Sequence, residues 1–263
     1  AQVREMMKEE EPHELLVWFG DQSRLLEGQV KEGLDYYSIS LAAGRWARSV
    51  FGVGPVIAAG LLAHIDIERV EYAGQVWAFA GLTNAEWKKK TRRPWNAELK
   101  TLCYKIGESF VKGRNSEKDM YGHLFGERKL KEWAKNLQGG NAEAAAVKAA
   151  KVGKDTVAYL WYSGQINPKW AEDLMKSGKP FPQKFPKKAT QGTGVAMLPP
   201  AHIHARARRW TVKLFLSHLF EVMYIAHHGR EPEQPFVLTM DGHSRKIPVP
   251  NLGEWMDHEG ITL

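Results

Sequence analysis

SVFGVGPVIAAGLLAHID, residues 49–66, sets Gly52 and Gly54 one residue apart, follows them with Pro55, and runs into an apolar stretch. Proline at a first helical position and an unbroken run to Ile65 predict a helix of about three turns. The segment before the glycines, from about Ala42 to Val50, predicts the other arm. Two glycines let the chain reverse without Cβ clashes and leave the amides of Gly54 and of the residues after Pro55 at a helix start, where a phosphate can be received. Helix, turn and helix in this order form a helix-hairpin-helix element, which grips a nucleic-acid backbone through main-chain groups. Gly52, Val53, Gly54 and Val56 are its expected contact segment, with the Val53 side chain turned inward as a plug. Small Ala58, Ala59 and Gly60 permit close helix contact. The same turn would serve equally as a tight connection between two core helices. It is not a dinucleotide fingerprint, because Ile57 stands where the third glycine is required, nor a Walker motif, because no Gly-Lys-Ser/Thr follows.

The rest of the chain is predicted to be mainly α: a multi-helix bundle containing this helix-hairpin-helix, with a long irregular insertion and a short C-terminal β-hairpin-like tail. Residues 1–48 read as N-terminal helices, punctuated at Gly20 and Asp21. Residues 49–138 form the hairpin core. There a helix is capped by Asn96 and carries Leu99, Leu102, Ile106 and Phe110 on one side, and a further helix covers roughly Tyr121 to Asn136. Residues 139–200 form an insertion, helix-prone up to Ser163 and rich in lysine and proline beyond 176. Residues 201–228 make a closing core helix. In the appendage 229–263, Asp241-Gly242 sits between two β-prone pieces and predicts a hairpin.

Lysine and arginine outnumber aspartate and glutamate by 37 to 30, a net charge of +7 that favours a polyanionic partner without naming it. The distribution is more telling. Lys88, Lys89, Lys90, Arg92 and Arg93 form one run without an acid, flanked by Trp87 and Trp95, and would make affinity salt-dependent. The two tryptophans would stack on bases or anchor the loop to the core. Arg206, Arg209 and Lys213 recur at helical spacing with His202 one turn before, giving a second cationic face that would follow a groove, face solvent, or pair with Glu127 or Glu221. Lysines 176, 179, 184, 187 and 188 suggest an extended electrostatic arm.

Catalytic chemistry is not visible. No histidine or cysteine spacing suggests a metal site, and the acids Asp66, Glu68, Glu98, Glu108 and Asp119 are scattered. No cofactor is expected. Cys103 stands alone, which excludes an intrachain disulfide and favours a cytoplasmic, nucleoprotein-associated setting. Neither a membrane span nor a secretory leader is read.

FGVGPVIAAGLLAHIDIERVEYAGQVWAFAGL, residues 51–82, resembles the carboxy-terminal transposase domain of the IS110/IS116/IS902 family, with its Gly-hydrophobe-Gly-Pro turn, Ala-Leu-Leu helix and later Ala-Gly-Leu. The resemblance continues through Asn96, Leu99 and Lys100 and resumes in ARARRWTVKLFLSHLFEVMY, residues 205–224. It implies DNA or structured RNA as partner, with Lys100 added to the contact set, and DNA recombination directed by a structured RNA. The family's acidic nuclease domain would precede the hairpin and occupy over a hundred residues, where 48 stand here. Its nucleophilic serine would lie between Gly81 and Asn96, where this chain has Thr83 and Thr91 and no serine. The expected function is therefore backbone-directed nucleic-acid binding with no catalytic residues of its own. A recombinase or nuclease component of a larger complex is one alternative; a structural subunit contacting other protein subunits or a second copy is the other.

Overall fold

The structure, a computed structural model, describes residues 13–167, 169, 173, 192, 194–234 and 246–263. Every regular element among them is a helix: α1 (Glu14–Ser40), α2 (Ala42–Ser49), α3 (Pro55–His64), a 3-10 turn (Ile67–Arg69), α4 (Ala73–Phe79), α5 (Ala97–Gly113), α6 (Met120–Leu137), α7 (Ala142–Ala149), α8 (Val157–Tyr162), α9 (Pro200–His228) and α10 (Leu252–Glu259). Side-chain caps set several starts. Asn96 Oδ1 accepts from the amides of Glu98 and Leu99, Asp119 Oδ1 from Gly122, and Thr156 Oγ1 from Tyr159.

The N-terminal helices differ from expectation. Gly20 and Asp21 do not separate them: α1 runs straight through, because a lone glycine costs a helix only about 1 kcal/mol while no proline interrupts it. The break falls at Leu41, whose φ of −106° and ψ of 137° leave the helical region and let α2 start on a new axis. Gly44 makes that elbow possible, since a Cβ there would lie 1.8 Å from the Ser38 carbonyl oxygen.

The β-hairpin-like tail is overturned. Residues 235–245, including Asp241-Gly242, lie outside the described residues, and no strand occurs among those described. Lys246 to Val249 is non-helical and pairs with no strand, and Pro248 and Pro250 have no N–H to give a ladder. The chain then enters α10, where Trp255 is buried and donates its indole N–H to the Ala42 carbonyl at 2.8 Å. Of the irregular insertion beyond 176, residues 192 and 194–199 are described and belong to no regular element. The lysines at 176, 179, 184, 187 and 188 lie outside the described residues, but Met197 and Leu198, at its end, are fully buried core.

Two compact units divide the chain, one from Ala1–Ile106 with Leu216–Leu263, the other from Gly107–Phe215. In the first, α1 packs on α2 and α3, and α10 packs on α2. Gly60 of α3 faces Leu102 of α5 so closely that a Cβ would sit 2.8 Å from it. His218 is buried there, its Nε2 3.1 Å from the Ile247 carbonyl oxygen, and desolvation pushes its pKa down to about 4. The second unit has an apolar centre of Trp133, Trp161, Ile166, Met197, Leu198 and Ile203. Beside it Phe110 stacks on Tyr121 at 4.8 Å, and Phe215 packs edge-on to both rings.

Candidate functional site

The glycine turn is built from its own backbone. Val50 N–H donates to Ala47 O and Val53 N–H to Val50 O, and Gly52 takes φ of +84°, which a side chain would resist. Val53 is 3% exposed and plugs the turn, as its place in the sequence predicts, and its N–H and carbonyl are taken by Val50 and Arg48, which leaves Gly54 and Val56 as the amides at the helix start. Gly54 caps α3 without a side-chain hydrogen bond, and Pro55 occupies the first turn. Val56 is 45% exposed beside this helix start.

The cations nearest the turn are committed elsewhere. Arg48 donates through Nη1 to the Val53 carbonyl at 2.8 Å and through Nε to Asp35 at 2.9 Å, stapling the turn to α1. Arg45 makes a two-pronged pair with Glu259 of α10 at 2.5 Å, and these hydrogen bonds hold the Glu259 carboxyl below the usual carboxylate range. Trp46 Nε1 donates to Pro250 O and Asn251 Nδ2 to Ser49 Oγ, so the C-terminal segment braces α2 along its length. Nothing in the sequence of residues 246–263 signals that role.

The basic run lies on a loop whose ends are tied. Asn96 N–H donates to Phe79 O at 2.9 Å, and Gly81, at φ +64°, lies against Trp95, so closely that a Cβ there would meet its ring at 2.7 Å. Lys100 Nζ sits 4.0 Å over the Trp95 ring. Inside the loop Trp87 and Trp95 meet edge to face at 6.1 Å, Trp87 Nε1 donates to Thr91 O at 3.0 Å, and Thr91 Oγ1 donates to Lys88 O at 2.7 Å. Close ends and internal side-chain packing make this an Ω-type loop. Lys88, Lys89, Lys90, Arg92 and Arg93 are all exposed on it, and none is in an ion pair with a described residue. Lys90 holds φ of +72°, a left-handed conformation uncommon for lysine. An open depression of about 590 Å³ is lined by Glu86, Trp87, Lys88, Thr91, Arg92 and Pro94.

Turn and loop are joined through α3. At its far end His64 Nδ1 lies 3.3 Å from the Asn96 side-chain amide. Helical rise puts the glycine turn and this loop anchor at opposite ends of α3, about 15 Å apart.

Arg206, Arg209 and Lys213 of α9 belong to the second unit. Arg206 Nε lies 3.2 Å from Glu132 Oε2, and its Nη1 donates to Asn141 Oδ1 at 2.9 Å. Arg128 donates to the other oxygen of Glu132, which is 3% exposed, and Arg208 pairs with Glu108. The partner is thus Glu132 rather than Glu127, and Glu221 pairs with Lys246. Asn141 donates to Asn136, which in turn exchanges two hydrogen bonds with the Leu198 backbone. Arg209 is exposed, and burial lowers the pKa of half-buried Lys213. Sequence reasoning missed this network. Only Arg128 and Glu132, at i and i+4, carried a local signal.

The scattered acids have local duties. Asp66 accepts from Glu68 N–H and pairs with Arg69, Glu98 lies 3.9 Å from His64, and Asp119 caps α6. Burial pushes the Cys103 thiol up to about 12, leaving it protonated and unreactive at neutral pH. Among the described residues no group of three or more His, Cys, Asp or Glu side chains is placed to hold a metal, and no helix is long and apolar enough to cross a membrane. No family model, curated protein or solved structure matches this chain.

Proposed function

We propose that this chain is a nucleic-acid-binding protein of transposase-like ancestry, which grips the phosphate backbone through the Gly52–Val56 turn and the loop from Lys88 to Arg93 and performs no catalysis itself. The observation that carries this reading is the contrast between cations. Arg45, Arg48, Arg128, Arg206 and Arg208 each face a carboxylate, while the loop holds five exposed cations with none among the described residues. Concentrating like charge on an ordered loop costs self-repulsion, which a polyanion relieves while releasing its condensed counterions. The helix-start amides at Gly54 and Val56 add a phosphate site of the kind helix N-termini offer. The roughly 15 Å from turn to loop anchor is comparable to the width of a duplex major groove, about 12 Å, so the two elements meet different phosphates.

The test is binding of the full chain to labelled duplex DNA and to a structured RNA across a salt series, beside a variant with Lys88, Lys89, Lys90, Arg92 and Arg93 all replaced by alanine. The parent chain should bind with a steep salt dependence. The variant's log–log slope should fall by about 4 to 5, close to 0.9 for each phosphate no longer neutralised. A folded parent chain that binds neither polymer at low salt refutes the proposal; the polymer bound more tightly identifies the partner.

A further inference from the structure

We infer that the depression on this loop takes one unpaired nucleotide, its base stacked on Trp87 and its phosphate held by Lys88 and Arg92; this rests on the backbone-binding reading above and deepens it. The two loop tryptophans divide their labour. Trp95 is the anchor: half-buried, packed against Gly81, and covered by Lys100. Trp87 is displayed, 38% exposed, although a ring of its size gains most by burial. Its orientation is nonetheless set. The indole N–H is spent on Thr91 O, Trp95 meets it edge to face, and the Arg93 guanidinium lies over the ring, 5.6 Å from its centroid. A fixed, partly bare aromatic ring among cations is the arrangement on which single-stranded nucleic acid stacks, since every base has a π face.

The lining of the depression suits a whole nucleotide. Its volume of about 590 Å³ lies in the range of small-molecule sites. Lys88 and Arg92 bring positive charge for a phosphate, and Glu86 brings a carboxylate that would repel one but accept a hydrogen bond from an exocyclic amino group. The lining thus offers groups for a base and groups for a phosphate. A base inside a continuous duplex is stacked on both faces and cannot enter, so the site selects looped, flipped or single-stranded positions.

The experiment measures equilibrium binding of the full chain and its Trp87→Ala and Trp87→Phe variants to three probes of equal length: a single strand, the same strand with abasic sugars throughout, and a duplex. Trp87→Ala should weaken single-strand binding roughly 5- to 150-fold while leaving the abasic strand and the duplex within about two-fold. Trp87→Phe should retain most of the affinity. Equal single-strand affinity in Trp87→Ala and parent overturns the inference, as does an equal weakening on all three probes, which would make Trp87 a scaffold for the loop. If the parent binds none of the probes, the backbone-binding reading itself falls. If the five-alanine variant binds more weakly while Trp87→Ala does not, that reading stands and the nucleotide pocket alone is refuted.

Discussion

Two regions of this chain carry clustered cations, and the fold treats them in opposite ways. Around residues 206–213, the guanidinium of Arg206 reaches a buried glutamate and an asparagine, that of Arg208 reaches Glu108, and Arg209 alone is exposed. Along Lys88–Arg93 every cation is exposed to water. The difference is one of neighbours. A helix periodically turns part of its surface toward other helices, and here α5 and α6 supply carboxylates to meet it. A closed loop held by its own backbone and by the half-buried Trp95 has no such visitors, and its charges remain open to a partner. Density of charge in a sequence thus measures supply; availability depends on which carboxylates the fold delivers.

The sharpest way to break this comparison is Glu132→Ala. Glu132 is buried and serves Arg128 and Arg206 together, whose side chains are 34% and 32% exposed. Its removal strands both guanidinium groups against a new cavity, with an expected cost of about 3 kcal/mol, at the lower end for a buried pair because both arginines keep some access to water. Urea unfolding followed by circular dichroism would show it, while nucleic-acid affinity per folded molecule, which we ascribe to the loop, should not change. An unaltered midpoint would mean that the Arg206 charge is not sequestered after all, and the helix would regain its claim as a binding face.

What can be read from the sequence follows from the range of the forces involved. The helix from Pro55, the cap at Asn96 and the inward turn of Val53 rest on local backbone chemistry, and the sequence shows them directly. The charge run at Lys88–Arg93 is equally plain, but its tied ends depend on Asn96 bonding to Phe79 across the loop, a pairing without local signature. The Arg206–Glu132 pair joins two helices distant in the chain, and Arg45 and Glu259 stand 214 positions apart. No spacing rule reaches that far. The tail failed for a related reason: Asp241-Gly242 suggests a turn, while the bonds that hold the segment, Trp255 to Ala42 and Asn251 to Ser49, are made with the other end of the chain.

A smaller effect separates neighbours on α9. Arg206→Ala removes the bond to Asn141 and one of the two cations on Glu132, and should cost about 1 to 2 kcal/mol. Arg209→Ala removes an exposed residue and should stay within about 0.5 kcal/mol. The two melts, measured side by side, sharpen the comparison to neighbouring positions on one helix. If Arg209→Ala instead lowers nucleic-acid affinity without altering stability, α9 contributes to binding through that one position.

The smallest expected effect tests whether the loop is shaped for its charges. Lys90 sits at φ +72°, where a side chain costs about 1 kcal/mol or more and glycine costs nothing in the folded state. Lys90→Gly should therefore stabilise the protein, but by only a few tenths of a kcal/mol, because glycine also gives the unfolded chain more freedom. The same substitution removes one of the five cations, so the salt-dependence slope should fall by up to about 0.9. The two readouts then move in opposite senses, stability upward and polymer affinity downward, as a residue retained for its charge at some cost to the fold would require. A melt that moves downward would show instead that the Lys90 side chain holds the loop together, and the exposed charge would be a by-product of that packing.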